Sequence, residues 1–245
     1  MAISAGDLRA DNFVSNGDAE LSLSSPSSIT LHAGQTSNSL GVLVDTSSAG
    51  VKAGTVSLDL TSIGEVRGTT IEGLGETSLV SDSVQVVAQV NEFANAAVAM
   101  LSGDGTMTLS QEHEYFLDFG TVEQGDGIFA ELGLLNDVLA PADELAGDFQ
   151  ISGPAFSFIN FGSFSDLLAG DQLDSLIVDF DTSAVGSFSG QIRLDPRSEN
   201  SSGFSGLQNQ ISINVTGNVV AIAEPAPSAL LLLAGTIVAV RSRRR

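Results

Sequence analysis

Leu173-Asp174-Ser175-Leu176-Ile177-Val178-Asp179-Phe180 sets Leu176, Val178 and Phe180 on one face of an extended chain and Ile177 and Asp179 on the other. A period of two marks a half-buried strand, because successive side chains of a strand point to opposite faces. Residues 210–215 repeat the pattern, with Ile211, Ile213 and Val215 opposed to Ser212 and Asn214. Working outward, residues 106–109, 115–120, 128–136, 149–151, 155–158 and 187–194 read as further short strands separated by Gly, Asp and Ser turns. That density of short alternating strands predicts an antiparallel β-sandwich over residues 102–220. Eleven of the thirteen phenylalanines follow residue 100, which places one well-filled core there. Residues 138–145, which include Pro141, and 164–168 are helix-like but short, and read as turns between strands.

A second signal is internal. Sliding the chain by 136 residues lays 13–62 over 149–198 without a gap, and 18 of the 50 positions are identical. Phe13, Gly17, Ala19, Leu31, Gly34 and Leu40 meet Phe149, Gly153, Ala155, Leu167, Gly170 and Leu176. Asp45-Thr46-Ser47 meets Asp181-Thr182-Ser183, and Asp59 meets Asp195. Such self-similarity predicts tandem domains of one fold. The expected division is 1–98, a partial, truncated sandwich and linker; 102–220, a complete sandwich; and 224–245, a C-terminal segment. Residues 84–90 read as a strand equivalent in role to 211–215, and 91–100 as an alanine-rich linker. The first copy lacks a counterpart of 102–136, so the chain is expected to extend upstream, with those strands and an export signal. Residues 1–9 show neither a basic start nor the apolar run of about 7–15 residues that export requires.

Composition narrows the function. The chain carries 30 acidic and 9 basic residues, and four of the basic ones are Arg241, Arg243, Arg244 and Arg245. A body this acidic excludes nucleic-acid binding by phosphate neutralisation. There is no cysteine, so disulfides and thiolate metal sites are excluded.

All acidic residues lie at or before Glu224. An apolar run from Ala229 to Val240, broken by Gly235 and Thr236, then leads into the terminal arginines. A greasy segment closed by cations predicts membrane retention, with the arginines at the anionic cytoplasmic leaflet. It is short against the roughly 20 residues of a full span, which suits a transient, processed anchor.

Glu224-Pro225-Ala226-Pro227, the apolar run and the basic end together resemble the PEP-CTERM protein-sorting signal. Ala223 stands where the family's box has its first proline. The resemblance covers 224–245. It implies export by an exopolysaccharide-producing Gram-negative bacterium and cutting near Glu224, Pro225, Ala226 and Pro227 by an exosortase-like sorting protease. Arg241, Arg243, Arg244 and Arg245 would be the membrane stop. The implied location is the inner membrane transiently, then the cell surface or extracellular matrix, with exopolysaccharide as a possible partner. The second copy resembles the choice-of-anchor D β-sandwich, an immunoglobulin-like relative. The resemblance rests on Leu117-Asp118-Phe119-Gly120-Thr121-Val122, Phe149-Gln150-Ile151-Ser152-Gly153, and Val178-Asp179-Phe180-Asp181 with Gly186-Ser187-Phe188-Ser189-Gly190. Such domains are mostly accessory modules.

Catalytic chemistry finds little support. His32 and His113 are the only histidines, and His32 falls where the second copy has Leu168. His113, in Gln111-Glu112-His113-Glu114, suggests either a loop cap or one metal ligand, and zinc needs three or four. No Gly-x-Ser-x-Gly elbow is present. The pairs Asp179/Asp181 and Asp171/Asp174 could act as acid and base but fit an acidic loop surface better. Asp179 and Asp181 could share a face, and the matched Asp45/Asp181 and Asp59/Asp195 offer hard oxygen ligands, so structural Ca2+ is conceivable. Asx turns explain the two Asp-Thr-Ser stretches more simply. No catalytic, cofactor or metal residue is therefore assigned. The leading expectation is a non-enzymatic exported surface or matrix protein. The alternatives are an adhesive or carbohydrate-binding module, though Trp is absent and Tyr115 is the sole tyrosine, and an accessory part of a surface enzyme whose catalytic domain lies upstream.

Overall fold

The computed structural model describes residues 6–71 and 75–222. The fold is all-β. The described residues divide into two compact units, those up to 93 with 138–143, and 94–137 with 144–222. In the first unit the strands are β1 (Asp7–Gly17), β2 (Ala19–Leu21), β3 (Ser28–Leu31), β4 (Val42–Val44), β5 (Gly50–Ile63), β6 (Glu65–Val66), β7 (Thr69–Thr70), β8 (Thr77–Ser78) and β9 (Asp82–Val90). The second holds β10 (Ala96–Gly103), β11 (Thr106–Gln111), β12 (Glu114–Glu123), β13 (Ile128–Asn136), β14 (Glu144–Ser152) and β15 (Phe156–Ile159). It continues with β16 (Phe164–Leu167), β17 (Gln172–Phe180), β18 (Gly186–Glu199), β19 (Ser205–Leu207) and β20 (Ile211–Val220).

The second unit is an immunoglobulin-like sandwich. One sheet runs β10-β13-β17-β15 and the other β11-β12-β20-β18-β14-β16, with β19 on β18. The first matches the A-B-E-D sheet of that fold, and β20-β18-β14 matches G-F-C. β12 joins β20 in parallel, pairing Tyr115 with Ile213 and Leu117 with Val215. The alternation read from sequence is visible as burial. Ile211, Ile213, Val215 and Val219 of β20 are buried, as are Leu176, Val178 and Phe180 of β17. Phe180 stacks on Phe156 and Phe119 at centroid distances of 4.9 and 5.6 Å. Two polar side chains are fully enclosed and bonded. Ser198 Oγ accepts from the Ala94 amide at 3.0 Å. Asn136 Oδ1 accepts from the Asn95 amide, and its Nδ2 donates to the Leu167 carbonyl, each at 3.0 Å.

The first unit repeats part of this plan. Its main sheet places β3, β1 and β5 side by side, with β8 and β9 both on the far side of β5, and β2 pairs with β4 separately. Adding 136 to the bounds of β3 and β5 gives those of β16 and β18. By the same shift β1 corresponds to β14, β2 to β15 and β4 to the end of β17. β9 takes the place of β20: Gly54 pairs with Val86 as Gly190 pairs with Val215. Among the described residues of the first unit nothing corresponds to β10 to β13. Among its described residues the buried ones are Asp7, Ala19, Lys52, Val56, Thr61 and Asp143.

Glycines at one crossing are shared. A Cβ on Gly17 would lie 2.4 Å from the Ala53 carbonyl oxygen, and one on Gly54 would lie 2.4 Å from the Ala19 amide nitrogen. Their counterparts Gly153 and Gly190 are nearly as close, a Cβ on Gly153 reaching 2.7 Å from the Gly190 Cα and one on Gly190 reaching 2.8 Å from the Ser152 carbonyl oxygen.

Three expectations are corrected. Within residues 91–100, read as linker, β10 begins at Ala96, and Ala94 and Ala96 are buried in the second unit's core. The second sandwich thus opens at residue 94. Ala96, Val98 and Met100 alternate toward the core, but small side chains give a weak strand signal. Residues 164–168, read as a turn, hold β16, held by only two pairings to β14. Asp179 and Asp181 do not share a strand, because β17 ends at Phe180.

Candidate functional site

The residues on which the sequence places most function, Glu224, Pro225, Ala226, Pro227, Arg241, Arg243, Arg244 and Arg245, lie outside the described residues. Among the described residues no helix is long and apolar enough to cross a membrane.

The matched carboxylates do structural work. Asp45 Oδ1 accepts from the Ser47 amide at 2.8 Å, and Asp181 Oδ1 from the Ser183 amide at 2.9 Å. Both are Asx turns, and the amide bonds hold both carboxyls below the usual carboxylate range. Asp59 accepts from Asn12 Nδ2 at 2.8 Å and Ser81 Oγ at 2.6 Å, so it ties β5 to β1 and to the entry of β9. Asp195 accepts from Gln150 Nε2 at 2.9 Å and from Gln210 Nε2, joining β18 to β14 and to the entry of β20. The duplication has kept a three-strand brace while changing its amide and hydroxyl donors. Asp174 accepts from Gln172 Nε2, and the Asp171 amide donates to the Leu168 carbonyl.

His113 caps the β11–β12 turn. Its φ is 66°, its carbonyl accepts from the Ser212 amide at 2.9 Å, and its Nε2 lies 3.4 Å from Asn209 Nδ2 and 3.7 Å from Glu112 Oε1. No group of three or more His, Asp or Glu that could hold a metal occurs among the described residues.

His32 has a partner that sequence reasoning missed. Its Nδ1 lies 2.8 Å from Asp7 Oδ2, and the Asp7 carboxylate also accepts from the Arg67 and Gly68 amides at 2.9 and 2.8 Å. Asp7 is buried. Burial pushes its pKa up, but the bonds from Gly68, Arg67 and His32 outweigh that and hold it below the ordinary value. The cluster ties the start of β1 to the loop after β3 and to the β6–β7 hairpin. Nothing in sequence spacing signals it, since the groups come from residues 7, 32 and 67–68.

A groove of about 570 Å³ opens between β10 and β11, edge strands of the two sheets of the second unit. Val98, Met100, Leu101, Met107, Leu109 and Tyr115 line it. Among its described lining residues none is acidic, basic or a histidine, so it can offer apolar contact, the Tyr115 phenol and the hydroxyls of Ser102 and Thr106.

No family model matches this chain, and no curated protein matches it. Several solved structures are similar in outline. The human CEP192 ASH/PapD-like domain 7 is 9% identical over 54% of this chain and 89% of that one, with a TM-score of 0.37. A protein of unknown function from Porphyromonas gingivalis W83 is 14% identical over 87% of this chain and 85% of its own, with a TM-score of 0.32. A family 123 glycoside hydrolase from Clostridium perfringens is 10% identical over 54% of this chain and 28% of its own, with a TM-score of 0.26.

Proposed function

We propose that this chain is a non-enzymatic protein displayed outside the cell, retained at the membrane and then processed through its C-terminal tail. The observation that carries the reading is the sequence of 224–245: a Glu-Pro box, an apolar run and four closing arginines. The tail resembles a PEP-CTERM sorting signal, and the partner it implies is an exosortase-like membrane protease. The body suits display, being acidic and built on a sandwich whose core is dense and whose matched carboxylates brace strands and turns. On this reading the sandwich spaces or presents, and no described residue is assigned a catalytic role.

The test is localisation with processing. An epitope inserted at the exposed turn 201–203, in a chain carrying a secretion signal and expressed in an exopolysaccharide-producing Gram-negative host, should be reached by antibody on intact cells. Intact mass should show a mature end near 223–226, and deleting 241–245 should abolish both retention and cutting. A mass that includes the apolar run overturns processing; an exclusively cytosolic epitope overturns display.

A second reading, an adhesive module, draws on the open groove at Tyr115. Glycan-array binding that Tyr115→Ala removes would favour it over a purely structural role.

A further inference from the structure

The two units differ in what lies beside their equivalent strands. In the second, β20 is flanked by β18 on one side and by β12, in parallel, on the other. In the first, β9 pairs with β5 alone among the described residues. Beyond Asp82 its other edge is long and undefended: Ser83-Val84-Gln85-Val86-Val87-Ala88-Gln89-Val90 contains no charge, proline or glycine. Natural edge strands are usually blunted by such residues, by bulges or by being short. The face continuous with that edge is uncovered too. Val84 is 57% exposed, where its counterpart Ile213 is 2% exposed.

We propose that β9 is a β-strand acceptor, and that its occupant is an extended polypeptide segment of the β12 kind. It would enter parallel to β9 and set apolar side chains at alternate positions over Val84 and Val86. The second unit supplies the geometry, with Tyr115 opposite Ile213 and Leu117 opposite Val215. The first unit sets the chemistry. Phe119 of β12 stacks on Phe180 and Phe156. The matching positions in the first unit are Val44 and Glu20. The occupant should therefore carry an aliphatic residue where β12 carries Phe119. Main-chain hydrogen bonds would supply affinity, and the alternating side chains register and specificity. Charge argues against a second copy of this chain as the occupant, since each carries a net charge of −21 and like-charged surfaces repel.

The probe is a synthetic peptide with the sequence of Glu114–Glu123 bearing Phe119→Val, with Glu114→Gln, Asp118→Asn and Glu123→Gln so that its charge does not oppose the acidic chain, added to the full chain; a scrambled peptide is the control. Hydrogen exchange should slow about tenfold across 83–90, the protection expected when roughly nine-tenths of the sites are filled. Val84→Lys, on the uncovered face, should abolish the effect. Val87→Lys, at a 71% exposed position on the opposite face, should preserve it. No slowing with the peptide, equal slowing with the scrambled sequence, or equal loss in both variants overturns the proposal. So does concentration-dependent protection of 83–90 without peptide, which would make a second copy the occupant.

Discussion

The two units carry the same strand plan with different interiors. β5 and β18 match in length and offset, yet Ile192 and Leu194 of β18 are 1% exposed, while β5 buries only Lys52, Val56 and Thr61. Two causes separate them. The second unit has β10 to β13, which bring Leu117, Phe119, Ala130, Leu132 and Leu134 over the β18–β20 face. It also has an aromatic cluster that the first lacks even in shared strands: Phe156, Phe158, Phe161, Phe164, Phe180 and Phe188 stand where the first unit has Glu20, Ser22, Ser25, Ser28, Val44 and Lys52. Lys52 fits by turning its amine to Ser48 Oγ at 2.9 Å. Topology and core composition are thus separable: the repeat preserves turns and braces and lets the interior go.

The contrast can be broken most directly in the cores. Phe180→Ala should destabilise the second unit by about 3–5 kcal/mol, the usual range for emptying a packed aromatic site. Val84→Ala should change the first unit by less than about 0.5 kcal/mol, as at exposed positions. Urea unfolding followed by circular dichroism measures both; comparable costs would show the units equally packed. Native-state hydrogen exchange sharpens the comparison without mutation. Amides of β5 and β9 should exchange on the order of a hundredfold faster than those of β18 and β20, reflecting openings that cost about 3 kcal/mol less. Equal protection would contradict the uncovered face.

A smaller effect distinguishes the first unit by pH. The Asp7 carboxyl has a lowered pKa in the fold, so its contribution is present above about pH 4, the unfolded-chain value, and is lost as pH falls through the lower folded value. Asp7→Asn should therefore lower the first unit's urea midpoint at pH 7, with the difference from wild type shrinking as the pH is lowered below 4. A pH-independent difference would assign Asp7 a packing role instead. The smallest effect belongs to Arg197, bonded to Asp148 at 2.7 Å and Glu199 at 3.2 Å on the second unit's surface. Arg197→Ala should cost no more than about 1 kcal/mol, and a larger loss of midpoint would mean that the pair braces β14 against β18 beyond its charge.

Strands with large alternating side chains are legible: the pattern over 128–136 has the bounds of β13, and that over 173–180 differs from β17 by one residue. β10 is hard to read because alanine fits many backbones, and β16 because four residues show only two periods. The parallel pairing of β12 with β20 joins Glu114 to Ser212, and no local pattern encodes a neighbour that distant. The Asp7–His32 cluster was invisible for the same reason. The Asx turns at Asp45 and Asp181 were readable because their partners lie two residues away.

The glycine crossings have a genetic consequence. When two side chains collide, a second mutation that shrinks one can usually restore the other. At Gly153 and Gly190 both partners are already the smallest residue, and part of what crowds them is backbone. Trimming Phe156, whose ring would lie 3.1 Å from a Cβ at Gly153 and 2.9 Å from one at Gly190, leaves the backbone contacts at 2.7 and 2.8 Å in place. Selection for intragenic suppressors of Gly153→Ala should therefore return the original glycine, or changes that loosen a whole strand.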